Sequence, residues 1–264
     1  SQGRDPHAMT MDGESLYLLS NKGLTQISKT ATGGTDTDTV IQSQFGIKSG
    51  TGTLRGNNPI ELAIDPGNSR LYVSNLDYQG FGSIQSQGKF GGQPATIRQV
   101  DGAGPITTDR RSVYWFESQS GQIVSAPLSG GVTHVEVTGL PTGFNGIRAL
   151  RADVDGGLYW GEGSGAIRKF VGGTVTTLAA DYAGNNSYGF AAGFAIDPYL
   201  GNVYYATSNA LQYVPKSGGQ PQQLRQGLVF VAYLATDNQN SVLNAWSNAG
   251  IDIYNKPGGV PTPP

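Results

Sequence analysis

Apolar and polar positions alternate along this chain in short bursts separated by Gly, Asn, Asp and Pro, a pattern that predicts brief β-strands joined by tight turns. No segment sustains a helical period. The bursts also follow a fixed order. Six segments read as an apolar strand ending at an aspartate, then a turn, then a second strand. They are HAMTMDGESLYLL (7–19), IELAIDPGNSRLYVS (60–74), GPITTDRRSVYWF (104–116), LRADVDGGLYWGE (150–162), GFAIDPYLGNVYYAT (193–207) and YLATDNQNSVLNAW (233–246).

The anchoring acids Asp12, Asp65, Asp109, Asp153, Asp197 and Asp237 are spaced by 53, 44, 44, 44 and 40 residues. A third strand follows each second one (GLTQISK, GSIQSQGK, GQIVSAPL, GAIRKFV, NALQYVP, AGIDIYN), then a glycine pair at 33–34, 91–92, 130–131, 172–173, 218–219 and 258–259. Five units continue into a fourth strand: DTVIQSQF, PATIRQV, VTHVEVT, TVTTLAA and QPQQLRQ. Four strands in about 44 residues, six times over, predict an all-β, six-bladed β-propeller of four antiparallel strands per blade. A β-sandwich also has short strands, but gives no reason for a four-strand super-period. The expected single domain spans 1–258, with blades at about 6–45, 59–100, 105–139, 147–180, 192–227 and 229–258, and a Pro-rich tail or linker at 259–264. The sixth unit has no convincing fourth strand, since VPTPP lacks ladder donors. Either SQGRD (1–5) completes that blade, or it stays three-stranded. The ends are expected to belong to a longer chain or a processed form.

Tyr17, Tyr72, Tyr114, Tyr159 and Tyr204 recur at one repeat position, where Leu243 stands in the sixth unit. Recurrence in nearly every blade marks packing. The LYW and VYW runs, followed by an Ile-containing strand and a Gly-Gly turn, resemble the six-bladed propellers of the YWTD and NHL (TolB-like) type. In this chain the tetrad reads YVSN, YWFE, YWGE and YYAT. The resemblance implies architecture, because these folds host receptors, hydrolases and scaffolds alike.

Composition supports many turns and uncharged loops, with 40 Gly in 264 residues and only 14% charged residues. A net charge of −2 gives no electrostatic reason to expect nucleic acid or an anionic membrane as partner. No apolar run approaches the roughly 20 residues of a membrane span. The absence of Cys excludes disulfides and thiolate metal sites.

Catalytic signatures are sparse. There is no G-x-S-x-G elbow and there are only two histidines. His134 shares a strand face with Glu136, and His7 opens an innermost strand. GTGTLRG (50–56) lacks the helix of a phosphate cradle, and DTDT (36–39) lacks an EF-hand pattern. Six-bladed calcium-dependent lactonases and related hydrolases offer a second resemblance. It implies an axial calcium held by oxygen ligands, for which Glu61, Asn145, Asn185 (or Asn186) and Asp181 are the candidates.

Loop lengths are asymmetric. GIKSGTGTLRGNN, SNLDYQGFG, GLPTGFNG and ADYAGNNSYGFAAG are long, whereas the opposite turns are minimal. The long loops bring together Asp77, Tyr78, Phe81, Phe144, Asn145, Tyr182, Asn185, Asn186 and Tyr188, with Glu117, Glu162 and Trp246 nearby and Arg148 at an inner-strand start. Aromatics mixed with amides are the composition of a recognition surface. The expectation is a non-catalytic binding or scaffold module, extracytoplasmic, with no cofactor and with a protein or glycan partner on the loop face. The alternative is the calcium-dependent lactonase or esterase.

Overall fold

The computed structural model describes residues 6–12, 15–20, 23–28, 39–42, 47–48, 54–55, 58–65, 67, 69–76, 80–154, 156–184, 193–197, 200–228, 231, 233–236, 241–246 and 250–255. The chain divides into two compact units, residues 1–140 and 141–264.

The first unit holds three four-stranded sheets. β1 (Pro6–Met11), β2 (Ser15–Ser20), β3 (Gly23–Ser28) and β4 (Thr39–Gln42) form the first. A two-stranded ribbon follows, β5 (Ile47–Lys48) with β6 (Leu54–Arg55). β7 (Asn58–Asp65), β8 (Arg70–Leu76), β9 (Phe81–Gly88) and β10 (Ala95–Asp101) form the second sheet. The third is β11 (Ala103–Thr108), β12 (Ser112–Glu117), β13 (Gln122–Pro127) and β14 (His134–Val137).

In the second unit a 3₁₀ turn at Gly143–Asn145 precedes β15 (Ile147–Ala152), β16 (Leu158–Glu162), β17 (Ile167–Val171) and β18 (Thr174–Ala179). β19 (Phe194–Ile196), β20 (Asn202–Ala206), β21 (Ala210–Pro215) and β22 (Gln222–Gln226) make the next sheet. β23 (Tyr233–Thr236), β24 (Ser241–Trp246) and β25 (Gly250–Asn255) make the last. All described pairings are antiparallel and sequential, the up-and-down plan of propeller blades.

The all-β propeller class expected from the repeat is therefore what the sheets show. The expected count of six four-stranded blades is corrected. Five sheets have four strands, and the sixth sheet has three among the described residues. The segment after β25 carries Pro257, Pro261, Pro263 and Pro264, which have no N–H to donate to a ladder, and it lies outside the described residues.

Burial grades across each blade. The second strand β16 is buried along its whole length, so both of its faces are covered by neighbours. The fourth strands β10, β18 and β22 are mostly exposed. In the first unit the repeated tyrosines enter two cores, Tyr17 with Leu62, Leu71 and Val73, and Tyr72 with Ile106 and Trp115. In the second, Tyr159 and Tyr204 share a core with Phe194 and Leu234. Each large side chain removed from water there contributes about 1.5–3 kcal/mol.

The opposite ends of the blades close tightly. The described glycine pairs all have positive φ; at Gly130 and Gly131 it is 85° and 135°, a backbone that excludes most side chains.

Candidate functional site

The described repeat aspartates Asp12, Asp65, Asp109, Asp153 and Asp197 stand at the end of the first strand of their blades and cap the turn that follows. Asp12 Oδ1 accepts from Ser15 N–H at 2.7 Å, Asp65 Oδ1 from Gly67 N–H at 2.9 Å, and Asp197 Oδ1 from Leu200 N–H at 3.0 Å. At Asp12, Asp109 and Asp153 the second oxygen holds a neighbour. Asp12 Oδ2 accepts from Tyr17 OH at 3.1 Å and pairs with Lys89 from the next sheet at 2.5 Å. Asp153 Oδ2 pairs with Lys216 from the sheet beyond it, and that ammonium lies 5.7 Å from the centre of the Tyr159 ring. In both places a lysine just before a glycine pair ties one blade to its predecessor. This end of the blades is structural.

At the loop end the key position is the fourth of the tetrad, occupied by Asn75, Glu117, Glu162 and Thr207. Period-two geometry puts the fourth side chain on the same face as the second. Trp115 Nε1 donates to Glu117 Oε1, and Trp160 Nε1 to Glu162 Oε1, both at 3.1 Å. An arginine completes each pair. Arg168, on the third strand of the same blade, lies 3.2 Å from Glu162. Arg98, on the fourth strand of the preceding blade, lies 3.3 Å from Glu117 and donates to Thr133 Oγ1 at 2.7 Å. In the second sheet Val73 replaces the tryptophan, and the Asn75 amide is buried with no hydrogen-bond partner among the described residues.

Glu61 and Asp181, candidates for a metal, are engaged in the scaffold. Glu61 Oε2 accepts from Ile106 N–H in the next sheet at 3.1 Å. Asp181 Oδ1 lies 2.9 Å from the Tyr205 hydroxyl, which is also 2.9 Å from Gln212 Oε1. Burial first, and then Asp181, holds the Tyr205 phenol well above the ordinary tyrosine value. Asn145 is exposed, and among the described residues no three His, Asp or Glu side chains gather as a metal cluster. Glu136 accepts from Ser125 Oγ at 2.6 Å, on the outer strand that it shares with exposed His134.

Of the residues expected on the recognition surface, Phe81 is exposed and Arg148 half-buried. Asp77, Tyr78, Asn185, Asn186 and Tyr188 lie outside the described residues. Phe144 falls in the 3₁₀ turn and Trp246 ends β24. Tyr182 requires a correction. It is buried, packs edge-on against Phe194 with ring centres 5.9 Å apart, and lies over Gly161, where an added Cβ would come within 2.4 Å of its ring. The glycine of YWGE exists to admit this ring.

Phe81 opens instead onto a cleft of about 450 Å³ between the second and third sheets, lined also by Arg98, Asp101, Glu117, Gln119 and Ser120. Its framework is backbone. Gly102 N–H donates to Gly80 O at 3.0 Å, and Ser118 N–H to Gly102 O at 2.8 Å, which staples the two sheets at this end. Sequence reasoning found Phe81 and Glu117 but missed Arg98, Asp101, Gln119 and Ser120. Those come from an outer strand and a turn that show no motif, and only the stacking of blades brings them together.

No protein-family model and no curated protein matches the sequence. Among solved structures, the chain is similar to one in a nidogen/laminin complex, at 16% identity and TM-score 0.69 over 93% of this chain and 94% of that one. It is also similar to a streptogramin B lyase, at 11% and 0.62 over 97% and 84% of the two chains. A calcium-binding regucalcin from Agrobacterium tumefaciens matches at 16% and 0.57 over 84% and 78%. At these identities the likeness establishes the β-propeller fold.

Proposed function

We propose that the chain is a non-catalytic, extracytoplasmic recognition propeller that holds a protein or glycan partner at the loop ends of its blades. One observation carries this reading. Four loop-end carboxylates are used as braces: Glu117 and Glu162 each accept from an indole and an arginine, Asp181 faces the Tyr205 hydroxyl, and Glu61 accepts an inter-sheet N–H. A general acid or base needs a carboxylate free to meet substrate. The low charge and the Gly-, Ser-, Thr- and Asn-rich loops support a location outside the cytoplasm.

The calcium-dependent hydrolase is the competing reading, and the two differ in what Glu61 does. Under the proposal, Glu61→Gln lowers the melting temperature equally with and without calcium, and lactones and aryl esters are not turned over. Labelled chain applied to arrayed oligosaccharides and purified surface proteins is expected to bind saturably. A calcium-dependent rise in Tm that disappears in Glu61→Gln, or turnover of any of these esters, would overturn the proposal.

A further inference from the structure

We infer that the cleft between the second and third sheets is a saccharide subsite that takes a neutral di- or oligosaccharide, with Phe81 as its stacking platform. The inference rests on the recognition reading above and narrows it to one place and one ligand chemistry.

Phe81 begins β9 with 53% of its surface exposed, whereas Gly82 to Gln87 are all buried, with both faces of the strand covered. A half-exposed phenyl ring at the mouth of a concave site offers an apolar surface. The rest of the exposed lining is planar and polar. Gln99 and Gln119 each bring an amide with donors and an acceptor, Arg98 a guanidinium fork, Asp101 and Glu117 carboxylates, and Ser120 a hydroxyl. A pyranose has the complementary form, with a C–H face for the ring and a rim of hydroxyls that both donate and accept. The volume of about 450 Å³ falls within the usual range of about 300–1,000 Å³ for small-ligand sites.

Charge narrows the ligand further. Arg98 is paired with Glu117 and held by Thr133, so its charge is already matched. Among the described residues Asp101 has no cationic partner, so the lining carries one net negative charge, which disfavours phosphorylated or sulfated sugars and uronates. A peptide partner fits less well, because anchor side chains seek desolvated apolar pockets. Here Phe81 is the one exposed large apolar side chain of the lining.

The walls are preorganised. Gly102 has φ +78°, and an added Cβ would lie 2.4 Å from Ser118 Oγ and 2.8 Å from Gln119 Cγ, so backbone sits directly behind the Gln119 wall. Arg98 and Glu117 fix each other across the sheet junction, and Trp115 fixes Glu117 from below. Arg98 and Glu117 therefore lose little side-chain freedom when the site is filled.

Trp115 supplies the readout, since its indole N–H donates to a carboxylate that lines the cleft. The full chain is titrated with glucose-, galactose-, mannose- and N-acetylglucosamine-based disaccharides while the indole resonances are followed by NMR. At least one disaccharide is expected to shift the Trp115 signal saturably and leave Trp160 unmoved. Phe81→Ala is expected to weaken that binding at least tenfold with only a small fall in Tm, because about half of the side chain is exposed. Asp101→Asn separates ligand classes: a neutral sugar keeps binding, whereas a Lys-rich peptide used as the alternative probe loses affinity. The inference is overturned if no disaccharide shifts Trp115, if Phe81→Ala leaves binding intact, or if the peptide binds and the sugars do not. Array binding that survives Phe81→Ala removes this subsite and leaves the recognition reading standing. Ester turnover removes both.

Discussion

Glu162 and Asn75 occupy the same position of the repeat, and their surroundings give them opposite energetic roles. Glu162 is buried and accepts from Trp160, Arg168 and Ser164. Removing it strands an indole N–H and a guanidinium. Arg168 is partly exposed, so the cost falls between that of a surface pair and that of a buried one. Glu162→Ala is expected to destabilise by about 2–3 kcal/mol in urea unfolding. Asn75 carries a buried amide that makes no hydrogen bond among the described residues, so Asn75→Ala exchanges an unsatisfied polar group for a small cavity. Its expected cost is below about 1 kcal/mol. Equal losses in the two variants would contradict these assignments. The sequence marked both residues through the degenerate tetrad, but not their difference, because Arg168 and Arg98 reach the equivalent glutamates from different strands of different blades.

Turns and links are the elements that decide where side chains can gather. Gly102 and Gly139 both link or follow outer strands with positive φ, at +78° and +73°, yet only Gly102 is crowded. Alanine at either pays the left-handed backbone penalty of about 1–2 kcal/mol. At Gly102 the new Cβ also displaces Ser118 and Gln119, whereas at Gly139 nothing lies within 4 Å. Gly102→Ala is therefore expected to lose the larger stability and to shift the Trp115 indole resonance, while Gly139→Ala leaves that resonance in place. The existence, order and inner-to-outer sequence of strands were legible from the Asp anchors and glycine pairs. The cleft was not, because its walls come from β9, β10 and the β12–β13 turn, which only the stacking of one sheet on the next brings together.

Across the whole molecule the phenols give the clearest pH signature. Tyr17, Tyr114, Tyr204 and Tyr205 are all held above the ordinary value of 10.0, in each case by burial first, and Tyr204 is pushed up to about 12. The folded state retains these protons where the unfolded chain has released them. Stability is thus fully present below pH 10 and is lost as pH rises from 10 through about 12. Lys89, raised chiefly by its hydrogen bond to Asp12, acts in the same direction. Tm is expected to stay level up to pH 10 and then fall, with phenolate absorbance rising together with unfolding. Reversible ionisation of all 13 tyrosines near pH 10 without loss of circular dichroism would refute this.

The sequence by itself determined the strand order, the capped turns and the propeller class, because each rests on local chemistry: two-residue alternation, an aspartate accepting from the next turn, and glycines where φ is positive. Only the tertiary structure decided which polar residues face water and which brace the blades. Tyr182 went inward over Gly161, Glu61 turned to a neighbouring sheet's N–H, and Phe81 stayed outside beside residues no motif connects. Those outcomes depend on how one sheet stacks on the next, a long-range relation that side-chain periodicity within a single strand does not encode.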